Sequence, residues 1–170
     1  MKELSALNPD LVINLSASPF SYNQENWRKN ILVKNAVRYQ LPILYVNQVG
    51  AQTELIFDGG SFFLDKNGTI QEELKYFDED FRIIDTGSPT GTLQPETGYI
   101  EKILDALILG IRDYFGKMGF KKATLGLSGG IDSALVLVLA VKALGAENVR
   151  VLLMPSRYSS DHSVEDALKL

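Results

Sequence analysis

The chain has 170 residues, 45% of them hydrophobic, a formal net charge of −4 and no cysteine. This supports a buried core in one domain or two small ones, and the mildly acidic balance argues against a nucleic-acid partner. Disulfides, thiolate metal sites and a cysteine nucleophile are excluded within the chain, and no stretch reaches the ~20 apolar residues of a membrane helix.

The first ten residues lack the apolar core of a signal peptide, so a cytoplasmic protein is the default expectation. Residues 10–16 read as a buried strand ending in the small polar loop Ser16-Ala17-Ser18-Pro19-Phe20. Residues 26–39 predict a helix with Ile31, Val33, Ala36 and Val37 on its apolar side. Arg28 and Lys29 read as its solvated face, and Trp27 as packed under the adjoining loop. Gln40-Leu41-Pro42 stops the helix, and residues 43–49 give a second buried strand.

Short strands at 54–57 and 61–64 flank Asp58-Gly59-Gly60, where Asp58 reads as a turn residue rather than a catalytic acid. Asp65-Lys66-Asn67-Gly68 has the chemistry of a hairpin turn, and residues 81–84 predict one more strand. Between Asp85 and Gly98 threonine, glycine and proline dominate, as in an interdomain linker. An amphipathic helix follows over 99–117, then a buried strand over 123–127. A second apolar helix opens at Asp132-Ser133 and continues from Ala134 to Leu144. A strand at 149–153 and a helix beginning near Val164 complete the chain. His162, the single histidine, is expected on the surface in a polar loop.

Residues 125–133 read Leu-Gly-Leu-Ser-Gly-Gly-Ile-Asp-Ser, a strand, a glycine turn and a helix start in succession. Such a junction gathers free backbone N–H groups and the positive end of the helix dipole at one point, which suits phosphate. Asp132 would repel that anion without a divalent cation between them, and oxygen-seeking Mg²⁺ fits that place. No lysine follows Gly130, which excludes a Walker A loop, and Gly126, Gly129 and Gly130 do not form G-x-G-x-x-G. The stretch Ser-Gly-Gly-Ile-Asp-Ser resembles the PP-loop of ATP pyrophosphatases, which cleave ATP between the α and β phosphates.

Asn14-Leu-Ser-Ala-Ser-Pro-Phe20, Arg28, Tyr45-Val-Asn-Gln-Val-Gly50, Phe57-Asp-Gly-Gly-Ser61 and Asp65-Lys-Asn-Gly68 resemble the later part of a nitrilase-type amidase domain. Followed by the PP-loop, Gly145-Ala-Glu-Asn-Val-Arg150 and Met154-Pro-Ser-Arg-Tyr-Ser-Ser160, they resemble the glutamine-dependent NAD⁺ synthetase family. The resemblance implies an α/β fold: a fragment of a nitrilase-like α-β-β-α sandwich, then the first part of an adenine nucleotide alpha-hydrolase-like, Rossmann-like parallel sheet domain. It implies a glutaminase portion at 1–86, a linker at 87–98 and a PP-loop portion at 99–170, with sequence missing at both ends.

The implied reaction is ATP-dependent amidation of deamido-NAD⁺ to NAD⁺ through an adenylylated intermediate, with glutamine or ammonia as nitrogen source. The family's Glu-Lys-Cys triad is absent here, so no catalytic residue is assigned and this chain alone is expected to be inactive. ATP would meet Gly126, Leu127, Ser128, Gly129, Gly130, Ile131, Asp132 and Ser133, with Asp132 touching Mg²⁺. Met154 would cover adenine or serve as a core methionine, and Ser159 and Ser160 would border the nucleotide or cap the last helix. Ser18 matches a glutamine-contacting position, with a plain turn serine as the other reading, and Gln24 stands where the family usually carries a basic residue. The family also implies a cytoplasmic homo-oligomer built through synthetase domains. Two other readings stay open: a different PP-loop pyrophosphatase, or a silent truncated product acting as a binding module or subunit interface.

Overall fold

Two apolar runs, Val12–Ser16 (β1) and Ile43–Asn47 (β2), pair in parallel with Ser16 opposite Asn47. Helix α2 (Gln24–Tyr39), which follows a short helix α1 (Lys2–Ser5) and β1, connects them. Its apolar face buries Leu32 and Ala36 against Ile43 and Tyr45 of β2 and against Phe62 and Leu64 of the strand beyond. Gln40 ends α2 in the left-handed region (φ 52°), where its N–H donates to the Ala36 carbonyl and Pro42 then enforces the exit. These details belong to a computed structural model that describes residues 1–89, 91–155 and 161–169.

The expected strand over 43–49 divides at Gln48, because Val49–Gln52 (β3) turns to pair antiparallel with Leu55–Asp58 (β4). Phe62–Leu64 (β5) returns to the main sheet against β2, and Ile70–Glu73 (β6) closes its far edge, giving the order β1-β2-β5-β6. Asp65 builds the β5–β6 turn as its sequence predicts: its Oδ1 accepts from the N–H groups of Asn67 (2.8 Å) and Thr69 (2.9 Å). At Gly60, with φ +60°, a Cβ would stand 2.1 Å from the Tyr76 ring, so the chain needs glycine there for conformation and for space.

The strand expected over 81–84 does not form. Phe81 and Ile83 are 84% and 90% exposed, and the outer edge of β6 is taken by residues further along. The Glu73 N–H donates to the Thr92 carbonyl (2.9 Å), and the Gln94 side-chain amide donates to the Glu73 carbonyl (3.0 Å). Part of the linker-like stretch is thereby fastened to the sheet.

Contacts divide the chain into Met1–Ala106 and Leu107–Leu170, a division that falls within helix α3 (Tyr99–Met118). In the second unit Ala123–Gly126 (β7) and Val149–Leu152 (β8) pair in parallel, linked by α4 (Ile131–Leu144) and a 3₁₀ turn at Ala146–Asn148. Helix α5 (Asp161–Lys169) follows and includes His162, which is exposed as expected but helical rather than in a loop. Mixed α/β structure with parallel pairing in both units is the class the sequence predicts. Among the described residues no helix is long and apolar enough to cross a membrane.

Candidate functional site

The junction between β7 and α4 has the form its sequence implies. Leu127 continues the parallel pairing through its N–H to the Leu152 carbonyl (3.0 Å), then the chain leaves the sheet at Ser128. Gly129 takes φ +82°, which a side chain would resist, and Gly130 is the N-cap of α4 with no side-chain cap. The first N–H groups of α4, on Ile131, Asp132 and Ser133, have no carbonyl in the preceding turn to receive them. They open at the carboxyl end of β7, where open α/β sheets hold ligands.

Ser128 and Ser133 brace this turn. The Ser133 hydroxyl donates to the Gly130 carbonyl (2.9 Å), stands 3.0 Å from the Ser128 hydroxyl, and accepts from the Ser128 N–H at 3.2 Å. The Ser128 hydroxyl also accepts from the Gly130 N–H at 3.3 Å. Both hydroxyls, expected to face an anion, here spend their protons inside the turn. Asp132 is exposed on the first turn of α4, as is Ile131, whose side chain is 81% exposed. A cleft of about 260 Å³ beside the turn is lined by Gly126, Leu127, Ser128, Met154, Val164 and Ala167 among others. Met154 is 72% exposed along this cleft and is therefore not a core methionine. Ser159 and Ser160 lie outside the described residues.

Ser18 lies beyond the carboxyl end of β1, half-buried, and its N–H donates to the Asn47 side-chain oxygen at 2.9 Å. Asn47, buried at the end of β2, donates from Nδ2 to Asp58 Oδ1 and to the Gly59 carbonyl, each at 3.0 Å. Arg28 grips both Asp58 oxygens, at 3.1 and 2.7 Å. Asp58, expected as a turn residue, is thus the buried end of an ion pair closing β4. Gln24 is exposed at the first position of α2, and its side chain has no bond to Ser18 among the described residues.

The adjacent cations are not a solvated face. Lys29 reaches Glu25 at 2.8 Å and Glu73 at 2.6 Å, while Lys102 of α3 also pairs with Glu25. Both ammonium groups lie over the Tyr76 ring, whose hydroxyl donates to Glu73 at 2.6 Å. Burial opposes the charge on Arg28 and on Lys29, but their carboxylate partners outweigh it and raise both pKa values. Burial likewise opposes the Glu25 charge, yet bonds from Lys102 and Lys29 hold its pKa below the ordinary carboxylate value. The Glu25–Lys29 pair follows from i,i+4 spacing, but periodicity cannot reveal Asp58, Glu73 or Lys102 as partners, because they come from distant elements. Trp27, beside Arg28 in sequence, is 72% exposed, so it does not pack beneath a loop.

Tyr45 is 2% exposed, and its hydroxyl has no hydrogen-bond partner among the described residues. Burial pushes the phenol pKa up, against the opposing pull of Arg28 and of the Ser16 and Ser18 hydroxyls, which lie near it but short of hydrogen-bond geometry. No group of three His, Cys, Asp or Glu side chains among the described residues is placed to hold a metal ion.

A glycine turn and helix N-terminus open at the end of a parallel strand mark the place where nucleotide- and phosphate-binding α/β proteins hold their ligands. Residues 103–170 match the NAD synthase family. The chain is 48% identical to the glutamine-dependent NAD(+) synthetase of Synechocystis sp., over 95% of this chain and 30% of that protein. It is 37% identical to the Thermotoga maritima enzyme of the same name, over 94% of this chain and 34% of that protein. Among solved structures it matches the glutamine-dependent NAD⁺ synthetase of Acinetobacter baumannii in complex with ADP. That likeness has a TM-score of 0.92 and 43% identity, and covers 98% of this chain and 33% of that one. A synthetase from Cytophaga hutchinsonii shares the fold, with a TM-score of 0.79 at 20% identity over 96% and 34% of the two chains. Over nearly its whole length the chain is similar to glutamine-dependent NAD(+) synthetases, and it spans about a third of the length of these relatives.

Proposed function

We propose that this chain contributes two partial sites to a glutamine-dependent NAD⁺ synthetase of full family length. Residues 1–86 supply one wall of the glutaminase site around Ser18, with Gln24 at its margin. Residues 87–98 link it to the start of the ATP-dependent amide ligase at 99–170. The reaction assigned to the whole enzyme is amidation of deamido-NAD⁺ by ammonia from glutamine. ATP first adenylylates the carboxylate, because carboxylate oxygen leaves poorly until it is so modified. The assembly proposed is a cytoplasmic homo-oligomer joined through synthetase domains.

The observation that carries this reading is the uncapped, glycine-lined start of α4 beside the cleft bordered by Met154. Amide N–H groups there are aimed without reorganisation at a pyrophosphate leaving group, where developing charge is stabilised. Ser128 and Ser133 supply two more donors once their mutual bonds are exchanged for phosphate oxygens, and Met154 covers the base. Asp132 suits Mg²⁺, which commonly joins one carboxylate to phosphate oxygens and water; when bound, the ion offsets charge on the pyrophosphate. The ADP held by the Acinetobacter baumannii relative supports a nucleotide at this loop.

Calorimetric titration of the chain with ATP and Mg²⁺ tests the assignment. Binding is expected, and Asp132→Ala should weaken it by about tenfold, or 1.4 kcal/mol. ATP binding that is indifferent to both Asp132 and Mg²⁺ would remove the metal role. The chain alone should form no NAD⁺ from deamido-NAD⁺ and ammonium; the full-length enzyme should, and its Asp132→Ala variant should not.

A further inference from the structure

We propose that Asn47 is a positioning residue for glutamine, setting the Ser18 loop through a relay anchored on Asp58 and Arg28. This rests on the reading of Ser18 as a glutamine contact. The chemistry of the relay permits one orientation. The Asn47 NH₂ group must face Asp58 Oδ1 and the Gly59 carbonyl, since both only accept. Its oxygen is therefore turned to the Ser18 N–H, which only donates. Arg28 fixes the other end by gripping Asp58 with two parallel bonds, the geometry in which a guanidinium confers direction as well as charge.

The backbone on either side is tied to the same frame. Asn47 donates its own N–H to the Ser61 hydroxyl at 3.0 Å, the Gln48 N–H donates to the Ser16 carbonyl at 2.9 Å, and the Phe20 N–H donates to the Ile56 carbonyl at 2.6 Å. Phe20 also meets Phe77 edge to face, with ring centroids 5.2 Å apart. The five-residue loop is thus held at Ser16, Ser18 and Phe20, and the Asn47 side chain supplies its middle support. That support engages the Ser18 N–H and not its hydroxyl, which neighbours the Tyr45 hydroxyl and can turn to a ligand beyond the ends of the parallel strands β1 and β2. Two places distant in sequence, the Ser18 loop and the end of β4, meet on one amide, with Arg28 of α2 behind Asp58, an arrangement beyond what a turn requires.

The test uses the full-length enzyme and compares two nitrogen donors, glutamine and ammonium. Asn47→Ala should raise the KM for glutamine by about tenfold, because a displaced contact costs catalysis steeply. Ammonium-supported turnover should stay within about twofold, and hydrogen exchange at Ser18 should accelerate. Arg28→Lys, which keeps the charge but removes the fork, should raise the same KM by about threefold. It serves as the readout if Asn47→Ala also loses ammonium activity through misfolding. Glutamine kinetics unchanged in both variants would overturn the positioning role, whatever happens to exchange. Ser18→Ala separates the two claims. Its failure to alter glutamine KM would overturn the substrate contact and the relay with it, whereas an effect there with none at Asn47 or Arg28 would overturn the relay alone.

Discussion

Arg28 places two nitrogens on a carboxylate that is 2% exposed, and Tyr45 buries a hydroxyl in the same interior with no partner in hydrogen-bond geometry among the described residues. Removing one partner of a buried ion pair strands the other charge. Arg28→Met should therefore lower unfolding free energy by about 3–5 kcal/mol, seen as an earlier urea midpoint. Tyr45→Phe should do the opposite, raising stability by about 1 kcal/mol, since it deletes an unsatisfied polar atom and keeps the ring. That ring packs 5.1 Å from Phe62 and lies beneath the Arg28 guanidinium, contacts that a phenyl group retains. At this scale the sequence was a poor guide. Arg28 and Lys29 adjoin on a helix and so resemble a solvated pair, while their partners Asp58 and Glu73 lie thirty and forty-four positions away. Asp58 beside two glycines has the local signature of a turn, and only the folded chain shows what it faces.

Helix α2 is where local and distant signals meet. Its apolar spacing and the Gln-Leu-Pro stop made it legible, as did the Asp-Lys-Asn-Gly turn for β5 and β6, because these features depend on near neighbours. The strand expected over 81–84 failed for the contrary reason: a β-prone run needs an open edge, and residues 92–94 had taken it. The electrostatics of α2 lead to a test. Glu25 ionises more readily when folded, because the ammonium groups of Lys102 and Lys29 outweigh the penalty of burial. Its contribution is complete above the unfolded glutamate pKa of about 4.3 and is lost as pH falls through the lower folded value. Urea midpoints should accordingly fall between pH 6 and pH 3, and Glu25→Gln should make that fall shallower. An unchanged slope in the variant would assign the acid sensitivity elsewhere.

Across the whole molecule, the junction between β7 and α4 was the most legible feature, since strand, glycine turn and helix start are consecutive in sequence. The support behind Ser18 was illegible, being assembled from β2, β4 and α2. Helix α4 leaves Ile131, Leu135, Val136 and Val138 exposed, as is consistent with a stretch about a third the length of its relatives. Within Met1–Ala106 the segment after β6 is fastened on both sides of its exposed part. Upstream stands β6 itself; downstream, Thr92 and Gln94 grip Glu73, and Lys102 grips Glu25. Covalent continuity through residues 81–89 is therefore dispensable for holding these parts together. A brief chymotrypsin digest that nicks the chain after Phe81 should yield two bands in denaturing gels but one peak on a sizing column. The same stretch should accept an inserted epitope tag without loss of helicity, making it a natural address for labels or for relocated termini.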